Sequence, residues 1–143
     1  RPADCGVLAF HAGTERALLV YVRNVLREQK GPVSAARVLK LVDQFCDERH
    51  WMMHVGPEKA EVLKLFLGES VQAWRLRRGS SNSIGPTSFA LLELGTYCGY
   101  SAIQWAHHLL ELLEDGEAFH VVTVEVNQEF ASIARQLVDL AGL

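Results

Sequence analysis

The sequence predicts an α/β fold in which N-terminal helices precede a parallel β-α-β-α unit. An apolar run, Ser88–Leu94, leads into the turn Gly95–Gly99, and a segment with helical spacing follows it. A second run rich in β-branched residues, from Phe119 to Val126, precedes a last amphipathic segment. This order of strand, glycine-rich turn and helix is typical of nucleotide-binding α/β domains, because glycines let the backbone approach a ligand closely.

Length and composition narrow the class of protein. The 143 residues suit one domain, and 49% hydrophobic with 22% charged residues is typical of a soluble globular chain. The net charge of −3 argues against a nucleic-acid binder. Cys5, Cys46 and Cys98 form no CxxC pair, which favours a reducing compartment over a disulfide framework or a zinc site. No apolar run has transmembrane length, and the sequence leaves open a membrane anchor upstream of Arg1. The cysteines favour a cytoplasmic location, and we expect a monomer.

The N-terminal part predicts three helices before any strand. Residues 1–13 show no period and are expected to form a loose lead-in. Helical spacing follows Thr14, a candidate N-cap, and stops at a Gly-Pro pair. A second helix is expected from a Ser34 cap to about His50, and a third begins near Pro57. We expect these helices to flank the sheet.

Two histidines precede the third helix. His50 and His54 lie four residues apart, which on a helix would place both on one face. The zinc-protease pattern needs a glutamate beside the first histidine, where this chain has Trp51. The two histidines are therefore interpreted as ordinary polar residues at a helix end.

An arginine-rich stretch separates the third helix from the first strand. Residues 72–87 contain Trp74, three arginines and a run of glycine and serine, and are interpreted as a solvated, mobile, inserted loop. An alternative is that the arginines, Arg75, Arg77 and Arg78, form a contact surface for an acidic partner.

The C-terminal part predicts two more helices. His107 and His108 are expected on the surface of the helix after the central turn, and Asn127 is expected to cap the last helix. A parallel sheet of two strands is too small to bury both of its faces. The pattern therefore predicts the front half of a larger α/β domain.

Glu93 and Glu125 each end a predicted strand and are the candidate ligand-binding acids. In a β-α-β unit, an acid at the tip of the second strand reaches a bound ribose, because a carboxylate accepts from both vicinal hydroxyls. The Gly95–Gly99 turn lacks the G-x-G-x-x-G pattern of dinucleotide sites, and Glu93 would repel a pyrophosphate. An ammonium or sulfonium group would be attracted instead, as in a methyl donor such as S-adenosylmethionine.

Several stretches resemble the signature of the catechol O-methyltransferase family: Glu93–Ser101, Trp51–Gly56 with Lys59, Thr123–Asn127 and Leu140–Leu143. The similarity runs from about Glu15 to the C-terminus. It implies a truncated Rossmann-like methyltransferase fold, in which residues 14–143 form the N-terminal part of an S-adenosylmethionine-dependent domain and residues 72–87 are an insertion.

The resemblance also implies an activity and a set of site residues. The family is magnesium-dependent and transfers a methyl group from S-adenosylmethionine to one hydroxyl of a catechol, with a lysine as base. Glu125 would hold the ribose of the donor, and Trp51 and Met53 would border the catechol and the transferring methyl. The donor site would be lined by Val55, Glu93, Gly95, Tyr97, Ser101, Glu125 and Val126, with Gly95, Tyr97 and Ser101 at the methionine end.

This chain departs from the family pattern in several places. The family's metal ligands and catalytic lysine lie in the second half of its domain, so no catalytic or metal-binding residue is expected here, and the Mg²⁺ ligands are expected beyond Leu143. Lys59 matches an earlier lysine of the family, and His54 stands where the family usually has asparagine. A transmembrane-type relative shares much of the pattern, which leaves the acceptor open. Two further alternatives are a truncated interaction module or pseudoenzyme, and a dinucleotide oxidoreductase, which the turn disfavours.

Overall fold

The computed structural model describes residues 13–29, 31–79 and 88–143. Within those ranges, three helices precede a β-α-β-α unit, which confirms the predicted α/β order. The elements are α1 Thr14–Glu28, α2 Ala35–Glu48, α3 Gly56–Gly79, β1 Ser88–Leu94, α4 Tyr100–Leu112, β2 Ala118–Val124 and α5 Gln128–Ala141. The lead-in expected over residues 1–13 lies outside the described residues except for Gly13.

The two strands pair in parallel, with Ser88 opposite Ala118 and Leu94 opposite Val124. Side chains alternate between the two faces of a strand, and the burial follows that alternation. On one face, Phe89 packs with buried residues of α3 and α4. On the other face, four large apolar side chains are more than half exposed: Leu92, Leu94, Val122 and Val124.

A layer of four helices forms the larger core. Helix α2 packs against α4 and α5, and α1 packs against α5, so these two helices lie against the helices of the β-α-β-α unit. Leu18, Val38, Ile103 and Leu137 contribute side chains that are almost completely buried. Each such side chain stabilises the fold by about 1.5–3 kcal/mol relative to an exposed one. Within these four helices, the helical spacing in the sequence therefore marks most of the buried residues.

Two of the three predicted helix caps are confirmed. The Ser34 hydroxyl accepts from the Arg37 amide at 3.3 Å, and the Asn127 side chain accepts from the Glu129 amide at 2.9 Å. The prediction for Thr14 is wrong, because Gly13 is the N-cap and its carbonyl accepts from the Ala17 amide at 3.1 Å. The left-handed backbone at Gly13, with φ 84°, starts the helix one residue earlier than the sequence suggested.

The prediction of a loop over residues 72–87 is wrong for its first part. Helix α3 continues to Gly79, and residues 80–87 lie outside the described residues. Trp74 is buried, with its ring edge-on to that of Phe89 at a centroid distance of 5.8 Å. The Arg75 Nε donates to both carboxylate oxygens of Glu117 at 3.0 and 3.1 Å. These contacts anchor the last turns of α3, and the insertion relative to the family stays a prediction.

The expected surface position of His108 is also wrong. Only 4% of His108 is exposed, and the Gln104 side-chain amide donates to its Nε2 at 2.7 Å. Burial lowers the pKa of His108, and the nearby Lys64 lowers it further. The buried face of α4 therefore includes polar side chains, Gln104 and His108, as well as its aliphatic residues.

Gly99 supports a direct prediction about packing. It precedes α4 with φ 85°, and a Cβ there would lie 3.1 Å from the Ala134 Cβ and 3.2 Å from its Cα on α5. We expect Gly99→Ala to lower the free energy of unfolding by more than the left-handed backbone strain alone, which costs about 1–2 kcal/mol. Urea unfolding measures the loss.

The matched control is Gly116→Ala. Gly116 has a similar φ of 88°, and no atom lies within 4 Å of the position that an added Cβ would take. Equal losses for the two variants would contradict a steric role for the contact with Ala134.

Candidate functional site

The turn between β1 and α4 projects from the carboxyl edge of the sheet. The Gly95 amide donates to the Val124 carbonyl at 2.9 Å, and the Gly99 amide donates to the Thr96 carbonyl at 2.9 Å. Tyr97 has a left-handed backbone, with φ 50°, and is the one non-glycine residue of the described ranges with a positive φ. Such a conformation persists where surrounding contacts hold it.

Tyr97 is held from three directions. Its amide donates to Glu125 Oε2 at 2.7 Å, and its hydroxyl donates to Glu15 Oε1 on α1 at 2.9 Å. Its ring lies edge-on to that of Phe130 on α5, at a centroid distance of 5.1 Å. Burial, together with the bond to Glu15, raises the pKa of Tyr97, so the hydroxyl remains a donor at neutral pH. These contacts fix the middle of the turn.

The two strand-end acids are both oriented by hydrogen bonds. Glu93 accepts from the Trp105 indole Nε1 at 3.3 Å and from the Thr123 hydroxyl at 2.9 Å. Glu125 accepts from the Tyr97 amide and, through Oε1, from the Asn127 amide at 2.9 Å. A carboxylate has about four lone-pair positions, so each acid retains acceptor capacity for a ligand.

A cavity of about 440 Å³ lies between this turn and the segment Trp51–Val55. Its wall contains many of the residues selected from the sequence: Trp51, Met53, Val55, Glu93, Gly95, Tyr97 and Ser101. Lys59 also lines it. Glu125 and Val126 do not; Glu125 lies against the turn through the Tyr97 amide, and Val126 is 96% exposed. The structure thus brings two distant stretches of sequence to one cavity.

His54 contributes to the wall of the cavity and is not on a helix, since α2 ends at Glu48. Its Nε2 lies 3.0 Å from Asp43 Oδ1, and its Nδ1 lies 3.2 Å from the Met52 carbonyl. Burial alone would lower the pKa of His54, but the bond to Asp43 and the proximity of Cys46 raise it to about 10. The interpretation of His54 as an ordinary polar residue at a helix end is therefore wrong.

The second oxygen of Asp43 also has a partner. Asp43 Oδ2 accepts from the Tyr100 hydroxyl at 3.2 Å, and the Tyr100 ring lies edge-on to that of His54, at a centroid distance of 4.9 Å. Burial, followed by the charge of Asp43, raises the pKa of Tyr100. Sequence reasoning missed Asp43 and Tyr100, because the two residues meet through the packing of α2 on α4.

The described ranges contain no group of three or more His, Cys, Asp or Glu side chains placed to hold a metal ion. The described part of the chain therefore does not fit a Mg²⁺ site. Within the same ranges, no helix combines the length and the apolar character needed to cross a membrane.

The parallel β-α-β-α unit, its glycine turn and the three preceding helices define a Rossmann-like α/β arrangement. No protein-family model matches the chain. It is 32% identical over 122 residues to catechol O-methyltransferase of Mus musculus, covering 85% of this chain and 37% of that protein. It is 36% identical over 106 residues to catechol O-methyltransferase B of Danio rerio, covering 74% and 32%.

Transmembrane O-methyltransferase of Homo sapiens is 28% identical over 111 residues, covering 78% of this chain and 31% of that protein. The chain is a homologue of the catechol O-methyltransferases. It spans about a third of the length of these relatives, between 31% and 37%.

The His54–Asp43 pair predicts how stability depends on pH. The pKa of His54 is raised from 6.5 to about 10 on folding, so its stabilisation is complete below about pH 6.5 and is lost as the pH rises through about 10. We expect His54→Gln to lower the free energy of unfolding by on the order of 1.5–3 kcal/mol at pH 6.

Urea unfolding of both proteins at pH 6, 8 and 10 checks this expectation. The difference between wild type and variant should shrink towards pH 10. A difference that stays constant over this range would mean that the ring is neutral in the folded protein.

Proposed function

We propose that the chain binds S-adenosylmethionine in the cavity between the Gly95–Gly99 turn and the Trp51–Val55 segment. In the whole protein, this donor would methylate a hydroxyl of a catechol. The observation that carries the proposal is the meeting of two family motifs: Trp51 and Val55 face the same cavity as Tyr97 and the start of α4. The names of the homologues, catechol O-methyltransferase, support methyl transfer to a catechol as the reaction.

The cavity fits a ligand of this kind. Its volume of about 440 Å³ lies within the range of roughly 300–1,000 Å³ that is usual for small-molecule sites. Glu93 lines it with an oriented carboxylate, which attracts an ammonium or sulfonium group. Glu125, beside the turn, retains lone pairs for ribose hydroxyls. The residues that would hold the donor are Val55, Glu93, Gly95, Tyr97, Ser101, Glu125 and Val126.

The bound donor would supply an activated methyl group, and the residues of this chain would orient it. Trp51 and Met53 are 60% and 46% exposed at the rim of the cavity, where an acceptor could contact them. The described residues offer no metal-binding group, so we assign acidification of the acceptor and removal of its proton to other parts of the whole protein.

The alternative of an interaction module that uses the Arg75–Arg78 stretch has less support. Arg75 is bonded to Glu117, and Arg78 stacks over the Trp74 ring at 4.6 Å and lies 3.7 Å from Glu117. Both of these arginines are thus engaged within the chain.

We also propose a small-molecule catechol as the partner, a monomeric state and a cytoplasmic location. Cys46 and Cys98 are both free and buried, which suits a reducing compartment. Burial, followed by the charge of Glu15, raises the pKa of Cys98, which keeps that thiol protonated and unreactive.

The assignment of Glu125 to the ribose can be tested by substitution. We expect Glu125→Gln to weaken S-adenosylmethionine binding by about tenfold or more, because charge-assisted hydrogen bonds contribute about 1.5–3 kcal/mol each. The glutamine oxygen still accepts from the Tyr97 amide, so the fold should persist. Isothermal titration measures the affinity, with Glu69→Gln on the exposed side of α3 as the control.

Unchanged affinity in Glu125→Gln would refute the ribose assignment alone. No binding by the wild-type chain would refute the donor proposal as a whole.

The absence of a metal-binding group among the described residues gives a further prediction. The purified chain, incubated with labelled S-adenosylmethionine, a catechol and Mg²⁺, should form no methylated product above background. Magnesium requires several oxygen ligands in a near-octahedral arrangement, which the described residues do not provide. A full-length catechol O-methyltransferase in the same assay serves as the positive control, and turnover by the chain would contradict the assignment.

A further inference from the structure

Asp43 uses both carboxylate oxygens to hold the wall of the cavity. One oxygen lies 3.0 Å from His54 Nε2, and the other accepts from the Tyr100 hydroxyl at 3.2 Å. The His54 side chain is only 14% exposed and that of Asp43 is 22% exposed. A pair this well shielded from water interacts more strongly than a surface ion pair.

The geometry around the His54 ring favours its charged form. Both ring nitrogens face acceptors: Nε2 faces the Asp43 carboxylate, and Nδ1 faces the Met52 carbonyl at 3.2 Å. A neutral imidazole carries one N–H, whereas an imidazolium carries two. Two acceptors therefore favour the doubly protonated ring, and in that state His54 forms an ion pair with Asp43.

The segment that His54 belongs to has no helix or strand of its own between α2 and α3. Met52 anchors it in the core, with 2% of its surface exposed, and the His54 amide donates to the Met52 carbonyl at 2.9 Å. Trp51 and Met53 stand on either side of this anchor and are largely exposed. Their position relative to the turn therefore depends on the ties of Met52 and His54 to the helical core.

We propose that the Asp43–His54 ion pair is a positioning device that fixes the Trp51–Val55 wall of the cavity before a ligand enters. The ion pair joins this wall to α2, and the bond from Tyr100 to Asp43 joins it to α4, the helix that follows the turn. The two walls of the cavity are thereby set relative to each other. As far as it concerns donor binding, this inference rests on the proposed function.

The charge balance of the pair is compatible with a cationic donor. An isolated imidazolium in the wall would repel a sulfonium, but the adjacent carboxylate of Asp43 offsets its charge. The groups that face the ring are Asp43 and Cys46 from α2 and Tyr100 from α4.

The first test uses the wild-type chain. Nitrogen NMR of the His54 ring at pH 8 should report two protonated ring nitrogens. A neutral ring would overturn the proposal, and this measurement requires no variant to fold.

The second test uses His54→Asn, Asp43→Asn and the double variant, with His120→Asn on the exposed face of β2 as the matched control. The indole N–H resonance of Trp51 should move in the first three proteins and stay in the control. S-adenosylmethionine affinity should fall by about 3- to 10-fold, because a wall that is correctly placed in only a fraction of molecules reduces the apparent affinity by that fraction.

The double variant separates positioning from unrelated damage. Because the two residues act as one unit, it should bind the donor about as well as either single variant, whereas independent effects would multiply. Multiplied losses, or an unmoved Trp51 resonance with unchanged affinity, would overturn the proposal. If the wild-type chain has the charged ring and the variants show the Trp51 shifts, but the wild-type chain binds no donor, the ion pair remains a positioning device and the proposed function is refuted.

Discussion

Parallel pairing of β1 with β2 puts the carboxyl ends of both strands at the same edge, and the site depends on that constraint. Glu93 lies opposite Thr123 in the register, and the ladder continues through the Gly95 amide to the Val124 carbonyl. The turn and Glu125 therefore become neighbours across 28 residues of sequence. The crossover helix α4 starts at the turn, so the same pairing also sets where its buried face meets α2 and α5.

The local elements of this architecture could be predicted from the sequence because local physics determines them. The strand–turn–helix order and the Ser34 and Asn127 caps require only neighbours within a few residues, and all are present in the structure. The proximity of Trp51 and Val55 to the turn could not be predicted in this way. Periodicity does not indicate which loops lie close together in the fold, so that expectation rests on the resemblance of the motifs to a family.

The features that the sequence did not reveal depend on tertiary contacts. Arginines suit a helix as well as a loop, and α3 continued because Trp74 is buried and Arg75 reaches Glu117, between α4 and β2. The pairing of Asp43 with His54 joins a helix to a segment without regular structure, a contact that no residue spacing encodes. In both cases, the packing of the helices brings together two polar side chains that are distant in sequence.

Tyr97 carries a consequence for the thermodynamics of any ligand that reaches the turn. Its backbone lies in the left-handed region, and separate partners hold its amide, its hydroxyl and its ring. A turn made flexible by glycine alone would lose main-chain freedom on binding, at about 1–2 kcal/mol per residue ordered. Here the bonds to Glu125 and Glu15 already order the centre of the turn, so that loss of entropy occurs during folding and not during binding.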